Sequence, residues 1–347
     1  MMQGINFKQF EKVFIIAELS ANHNGSLATA IETIHAAKHA GADAIKLQTY
    51  TPDTLTIDSN KKDFIINSGS IWDGQKYYDL YKKAYTPWEW HKALFKEAKN
   101  EGLVCFSTPF DHTAVDFLEE LENPIYKIAS FEITDIPLIR YVASKGKPII
   151  ISTGIATNQD IELAIKSCKD EGNEQIALLK CTSSYPAPIT EANLMMISDL
   201  EKRYDVITGL SDHTLGITAP VVAVSQGAKI IEKHFIIDKS IGGPDASFSL
   251  DKKEFSQMVI AVREAQLAIG KVDYSLTEKQ IQGRKFSRSL YISKNVKKGE
   301  LVTLENIKSI RPGFGLHPKY FNQILGKEFK AEYTIGTRMS LDKIINY

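Results

Sequence analysis

Residues 13–50, VFIIAELSANHNGSLATAIETIHAAKHAGADAIKLQTY, decide the fold. Two short runs rich in apolar and β-branched residues, VFIIAEL (13–19) and AIKLQTY (44–50), flank SLATAIETIHAAKHAGA (26–42). In the middle segment apolar residues recur at three- and four-residue steps up to Gly41, which predicts an amphipathic helix with a glycine stop. The flanking runs are apolar almost without interruption, as strands are when both faces of their sheet are covered. The stretch is therefore one strand–helix–strand unit.

The alternation continues to about residue 270. Further strands are predicted at VCFSTP (104–109), IYKIAS (125–130), PIIIST (148–153), IALLKCT (176–182), VITGLSD (206–212) and KIIEKHF (229–235), giving eight in all. Helices are predicted at 87–102, at 158–172 and, as the eighth, at EFSQMVIAVREAQLAIG (254–270). Eight such units in series are the number that closes a (β/α)₈ barrel, an α/β TIM barrel. A doubly wound sheet is the alternative, but the GxGxxG turn it needs after its first strand is missing. Ser256 follows Glu254, the wrong order for a capping box, so no cap is assigned to the eighth helix.

Residues 51–86 are too long for an ordinary strand-to-helix loop and are expected over the catalytic face of the barrel. Trp72 in this excursion, like Trp88 and Trp90, is read as packing helices and a lid. After 270 the period is lost. A polar linker (273–286) leads to a tail with short strands and KKGE and RPGFG turns, read as a β-rich module too small to be robust alone. The expected domains are 1–272, the linker 273–286, and 287–347.

Composition narrows the function. Lys plus Arg number 42 against 42 Asp plus Glu, so no global field favours nucleic acid or an anionic membrane. Cys105, Cys168 and Cys181 show no CxxC spacing, which fits a reducing cytoplasm. No apolar run approaches the roughly 18 residues of a membrane span, and no export signal is read at the N-terminus.

Barrel enzymes take their catalytic groups from the C-terminal ends of the strands. Lys46, Lys127, Lys180 and Lys233 each interrupt an apolar run near such an end. A lysine among apolar residues requires an anion, either a carboxylate such as Glu18 or Glu232 or a ligand. Four lysines, with hydroxyls at Thr108, Ser130 and Ser152, exceed what two interior acids neutralise and point to a ligand carrying phosphate and carboxylate. His213 and His234, at the ends of neighbouring strands, are either hydrogen-bonded structure or a pair converging on one divalent cation.

FIIAELSANHNGS, AGADAIKLQTY, CFSTPF, YKIASFE, ISTGIAT, LKCTSSYP, GLSDHTLG, EKHF, GGPD and IRPGFG occur in this order over some three hundred residues. Together they resemble the sialic acid synthase family, which condenses phosphoenolpyruvate with an N-acetylated sugar. The resemblance implies a TIM barrel followed by an antifreeze-like SAF domain, in a domain-swapped homodimer. It also implies that Lys46, Thr108, Lys127, Ser130, Ser152 and Ser183 surround phosphoenolpyruvate. Glu18, Gln48, Tyr185 and Asp245 would line the sugar and its aldehyde, and Arg311 would reach its acetamido group across the dimer. Glu132 would handle protons, making Glu18, Glu132 and Tyr185 the catalytic set. His213 and His234 would bind Mn²⁺ or Mg²⁺.

Within the family, ELSANH and LQTYTPDT most resemble the branch that makes pseudaminic acid. Ala246 stands after GGPD where sialic acid enzymes carry His, which suits a 6-deoxy diacetamido sugar that lacks a hydroxyl to bind. Two rivals are an N-acetylneuraminate or legionaminic acid synthase and a non-catalytic carbohydrate-binding protein.

Overall fold

The computed structural model describes residues 6–346. It divides into two units, Met1–Gly270 and Lys271–Tyr347. In the first, parallel strands β1 (Phe14–Glu18), β2 (Ala44–Thr49), β3 (Val104–Pro109), β4 (Tyr126–Ile128), β5 (Ile149–Ser152), β6 (Ile176–Cys181), β7 (Ile207–Asp212) and β8 (Ile230–His234) close into a barrel in chain order. Strand β1 pairs with both β2 and β8, so no edge is left open. Every predicted run holds its strand, and the largest trimming is at β4. There the chain leaves the sheet after Ile128 and turns through a 3₁₀ helix at Ser130–Glu132.

Helices over Leu27–His39, Trp88–Asn100, Asn158–Asp170 and Lys252–Ile269 occupy the predicted segments. The first is capped by the Ser26 side chain, which accepts from the Thr29 N–H. The last does have a capping box: Asp251 accepts from the Glu254 N–H while Glu254 accepts from the Asp251 N–H. Aspartate at the N-cap takes the role that serine or threonine fills in the usual capping box.

Alternate residues of each strand face the lumen. Its lower half is apolar: Phe14, Ile16, Ala44, Phe106, Ile150, Leu179 and Ile230 form one buried cluster. The opposite parity, including Ile15, Ile45, Leu47, Tyr126, Ile149 and Leu178, packs under the helices. One step towards the C-terminal ends, the inward parity becomes polar at Glu18, Lys46, Thr108, Lys127, Ser152, Cys181, Ser211 and Glu232, all buried. The apolar plug thus sets a dry floor on which the polar layer stands.

In the second unit, β9 (Ser289–Ile292) pairs antiparallel with β10 (Ile307–Ile310) over a small core of Leu290, Ile292, Val296, Val302, Ile307, Ile324, Phe329 and Met339. Ser289 Oγ donates to Pro312 O at 2.6 Å and accepts from the Gly315 N–H at 2.8 Å, pinning the RPGFG turn. Among the described residues no helix is long and apolar enough to cross a membrane.

Candidate active site

The polar layer is an alternating chain of charges. Lys46 Nζ lies 2.7 Å from Glu18 Oε2 and 3.8 Å from Glu232 Oε2, and Lys127 Nζ lies 3.5 Å from Glu232 Oε1. Register makes this possible, since Glu18 stands beside Lys46 on β2. Lys46 also donates to Thr108 Oγ1 at 3.2 Å, and Ser211 donates to Glu232 Oε1 at 2.9 Å. Burial pushes the Glu232 carboxyl up, but Lys127 and Lys46 outweigh it and hold the group below the usual range. Glu18 goes the other way: burial raises it to about 7 against the pull of Lys46.

This corrects the count of lysines. Lys180 and Lys233 have the outward parity. Lys233 is buried against Asp212, at 2.5 Å, and also donates to Thr214 O, a closed structural pair outside the lumen. Lys180 donates to its neighbour's carbonyl, Cys181 O, at 2.6 Å. Two lysines, not four, face the lumen, and Glu18 and Glu232 balance them formally. Excess positive charge therefore does not identify the anion site; unsatisfied donors and open space must.

Candidate donors stand at the ends of β4, β5 and β6. The Ser183 hydroxyl donates to Ser130 Oγ at 2.7 Å, while Ser152 Oγ is buried with no partner. The space beside Ser183 and Ser130 is kept by Gly154, just beyond β5: a Cβ there would sit 2.1 Å from Ser183 Oγ, 2.4 Å from Ser130 Oγ and 3.2 Å from Cys181 Sγ. Gly154 went unnoticed in the sequence because ISTGIAT carries no charge or ligand to mark it. Glu132, on the 3₁₀ turn after β4, has a buried, unpartnered Oε2, and burial raises its carboxyl to about 7.

Across the lumen, the His213 and His234 rings are 5.3 Å apart. His213 Nδ1 is 3.0 Å from Thr182 O, and since a carbonyl only accepts, Nδ1 carries the proton and Nε2 is left for another partner. His234 Nδ1 is buried without a hydrogen bond, 3.8 Å from Asp245 Oδ2. Burial lowers the His234 imidazole well below its ordinary range, which favours the neutral form that a ligating imidazole needs. Asp245 accepts from the Ser20 hydroxyl at 2.5 Å, and Gln48 donates to Ser20 Oγ at 3.1 Å and to Glu18 Oε1 at 3.0 Å. Ser20 has φ +45°, a conformation unusual outside glycine that these bonds hold in place. This orphaned nitrogen and the neighbouring carboxylate are ligand types a divalent cation takes, but among the described residues the donor atoms of His213, His234 and Asp245 do not all come within 4.8 Å of one another.

The rings above the histidines were only partly foreseen. Tyr185 lies 4.4 Å from His213, and Phe248 is 5.0 Å from His234 and 5.2 Å from Tyr185. Trp72 joins them, 5.6 Å from Tyr185 and 6.5 Å from Phe248, rather than packing a helix. Trp88 stacks on Phe117 and Trp90 meets His23 edge-on, both in helix packing. Arg311 stands exposed in the RPGFG turn of the second unit.

A separate group could hold a metal. His35, on the helix over Leu27–His39, and Glu97 and Glu101, at and just beyond the end of that over Trp88–Asn100, bring ligand atoms within 4.8 Å of one another. All three are half-buried on the outside of the barrel, and His35 is already paired with Glu97 at 2.8 Å.

Comparison with known proteins agrees with this geometry. The NeuB family matches residues 33–274, and a SAF domain matches residues 287–337. The chain is 52% identical to "Pseudaminic acid synthase" of Campylobacter jejuni subsp. jejuni serotype O:2, covering 96% of this chain and 97% of that one. It is 46% identical to the protein of the same name from Helicobacter pylori, over 95% and 97%. Among solved structures, N-acetylneuraminic acid synthetase from Leptospira borgpetersenii serovar Hardjo-bovis, in complex with citrate, aligns with a TM-score of 0.71 at 32% identity, covering 79% of this chain and 90% of that one. A closed barrel with a charged and hydroxyl-lined mouth, a SAF domain that follows it in the sequence, and relatives matched over nearly their whole length agree: the chain belongs to the NeuB family.

Proposed function

We propose that this protein condenses phosphoenolpyruvate with 2,4-diacetamido-2,4,6-trideoxy-β-L-altropyranose and water, yielding pseudaminic acid and phosphate. Its likeness to two pseudaminic acid synthases along nearly the whole chain carries the reading. Buried Ala246 and Phe248 support a deoxy acceptor, since neither offers a partner to a hydroxyl.

In this reading Lys46, Lys127 and Thr108 hold the carboxylate and phosphate of phosphoenolpyruvate, and Ser130, Ser152 and Ser183 supply the hydroxyl donors around the Gly154 gap. His213 and His234 would hold a divalent ion, Mn²⁺ or Mg²⁺, which when bound supplies Lewis acidity towards the sugar's aldehyde oxygen. Glu18, Gln48, Tyr185 and Asp245 orient the open-chain sugar. C3 of phosphoenolpyruvate bonds to the aldehyde carbon, the aldehyde oxygen takes a proton, and water adds at C2. Glu132, with its carboxyl near 7, is suited to take that water's proton. The C2 adduct then expels phosphate with C–O cleavage and leaves a ketone.

A homodimer is supported by apolar side chains that the single chain leaves in solvent. Val272, Tyr274 and Phe286, in the stretch of sequence that joins barrel to SAF domain, are 89%, 95% and 71% exposed, and Ile57, Phe131, Ile155 and Leu215 stand exposed on loops at the barrel mouth. Such surfaces suit a partner chain, whose Arg311 would then approach the sugar. Three buried, unpaired cysteines support a reducing cytoplasm.

The test is phosphate release from phosphoenolpyruvate with the diacetamido sugar beside N-acetylmannosamine. The first should be turned over far faster; equal or better turnover of the second overturns the acceptor.

A further inference from the structure

We infer that Trp72 is a specificity-determining residue: its indole N–H donates to an acyl carbonyl of the acceptor sugar, and the aromatic faces around it receive the acyl methyl. The inference rests on the acceptor proposed above.

Trp72 Nε1 is buried and has no hydrogen-bond partner. An indole nitrogen is a donor only, and a buried donor left unpaired is unfavourable unless something outside the fold completes it. The surroundings indicate what that is. Trp72 is in ring contact with Tyr185 and Phe248, and each of those touches one of the paired histidines. The donor thus belongs to the aromatic layer over the site where the sugar is expected. An N-acyl group matches this combination, with a carbonyl acceptor at one end and a methyl at the other.

The ring is also held in advance. Asp73 accepts from the backbone N–H groups of Ser68, Gly69 and Ser70, at 3.1, 2.9 and 3.0 Å, and from the Ser70 hydroxyl at 2.9 Å. Ile66 closes the loop from both sides, donating to Gln75 O and accepting from Gly74 N–H, each at 2.9 Å. A loop so tied presents Trp72 without further ordering on binding, which favours recognition.

The experiment compares wild type and Trp72→Phe on the diacetamido sugar and on its two singly deacetylated analogues. Phenylalanine keeps a ring and loses the donor. KM for the diacetamido sugar should rise about tenfold, the value of one hydrogen bond lost to a buried partner. KM for phosphoenolpyruvate and the melting temperature should stay put. One analogue should already be that much poorer with wild type and suffer no further loss in the variant. Losses that add, an unchanged KM for the sugar, or equal rises for both substrates overturn the role. If Trp72→Phe is unstable, Trp72→Met carries the same comparison. Failure of wild type to use any acylated sugar would instead overturn the acceptor reading.

Discussion

Gly154→Ala tests the anion site most sharply. The new Cβ would lie 2.1 and 2.4 Å from the Ser183 and Ser130 hydroxyls, so these must retreat by at least about 1.3 and 1.0 Å to reach ordinary contact. Serine hydroxyls swing between rotamers, and the backbone of Gly154 needs no left-handed conformation, so the chain still folds. Folding loses the 2.7 Å bond between the two serines, about 1 kcal/mol net. Binding loses more, because both donors leave the cradle and a methyl fills it. Two hydrogen bonds to a charged group are each worth about 1.5–3 kcal/mol. At about 1.4 kcal/mol per tenfold, KM for phosphoenolpyruvate should rise by about 10² or more. The assay is steady-state phosphate release with phosphoenolpyruvate varied at saturating sugar, beside a thermal melt. A folded variant whose KM for phosphoenolpyruvate stays within about threefold of wild type would refute a phosphate site between these serines, since two such bonds cannot be lost for so little.

Three further expectations follow from buried charge. With the Glu132 carboxyl near 7 and acting as a base, kcat should climb with pH to a plateau above about 7, and Glu132→Gln should be slow and flat across that range. Its folded pKa exceeds the unfolded 4.5, so the folded state holds the extra proton and stability falls as pH rises from 4.5 through 7. Glu132→Gln should therefore melt higher than wild type at pH 8, with the gap closing by pH 5. Lys233→Met strands buried Asp212 and should cost about 3–5 kcal/mol in denaturant melts, much of it recovered by adding Asp212→Asn; a neutral single variant would contradict the pairing.

The barrel was legible because its strands and helices have different periods, and each segment such as 13–50 announces itself. The height of the site within the barrel was legible too, since strands that end in Glu18, Lys46 or Lys127 become polar at one level. What failed was facing. Lys180 and Lys233 look like Lys46 and Lys127 in a linear reading, and only the register that pairs Asp212 with Lys233 shows which side of the sheet they occupy. Gly154 was missed, and Trp72 was read only as packing, for a related reason: one works by the space it leaves, the other through contacts with Tyr185 and Phe248, more than a hundred residues away in sequence.

The most direct test is phosphate release from the full-length chain given phosphoenolpyruvate alone, the diacetamido sugar alone, and both, each with and without a chelator. Phosphate should appear only when both substrates are present, fall to background on chelation, and return with added Mn²⁺ or Mg²⁺ in wild type but not in His213→Ala. Sugar binding with no phosphate ever released, or release that chelation leaves untouched, would contradict the account.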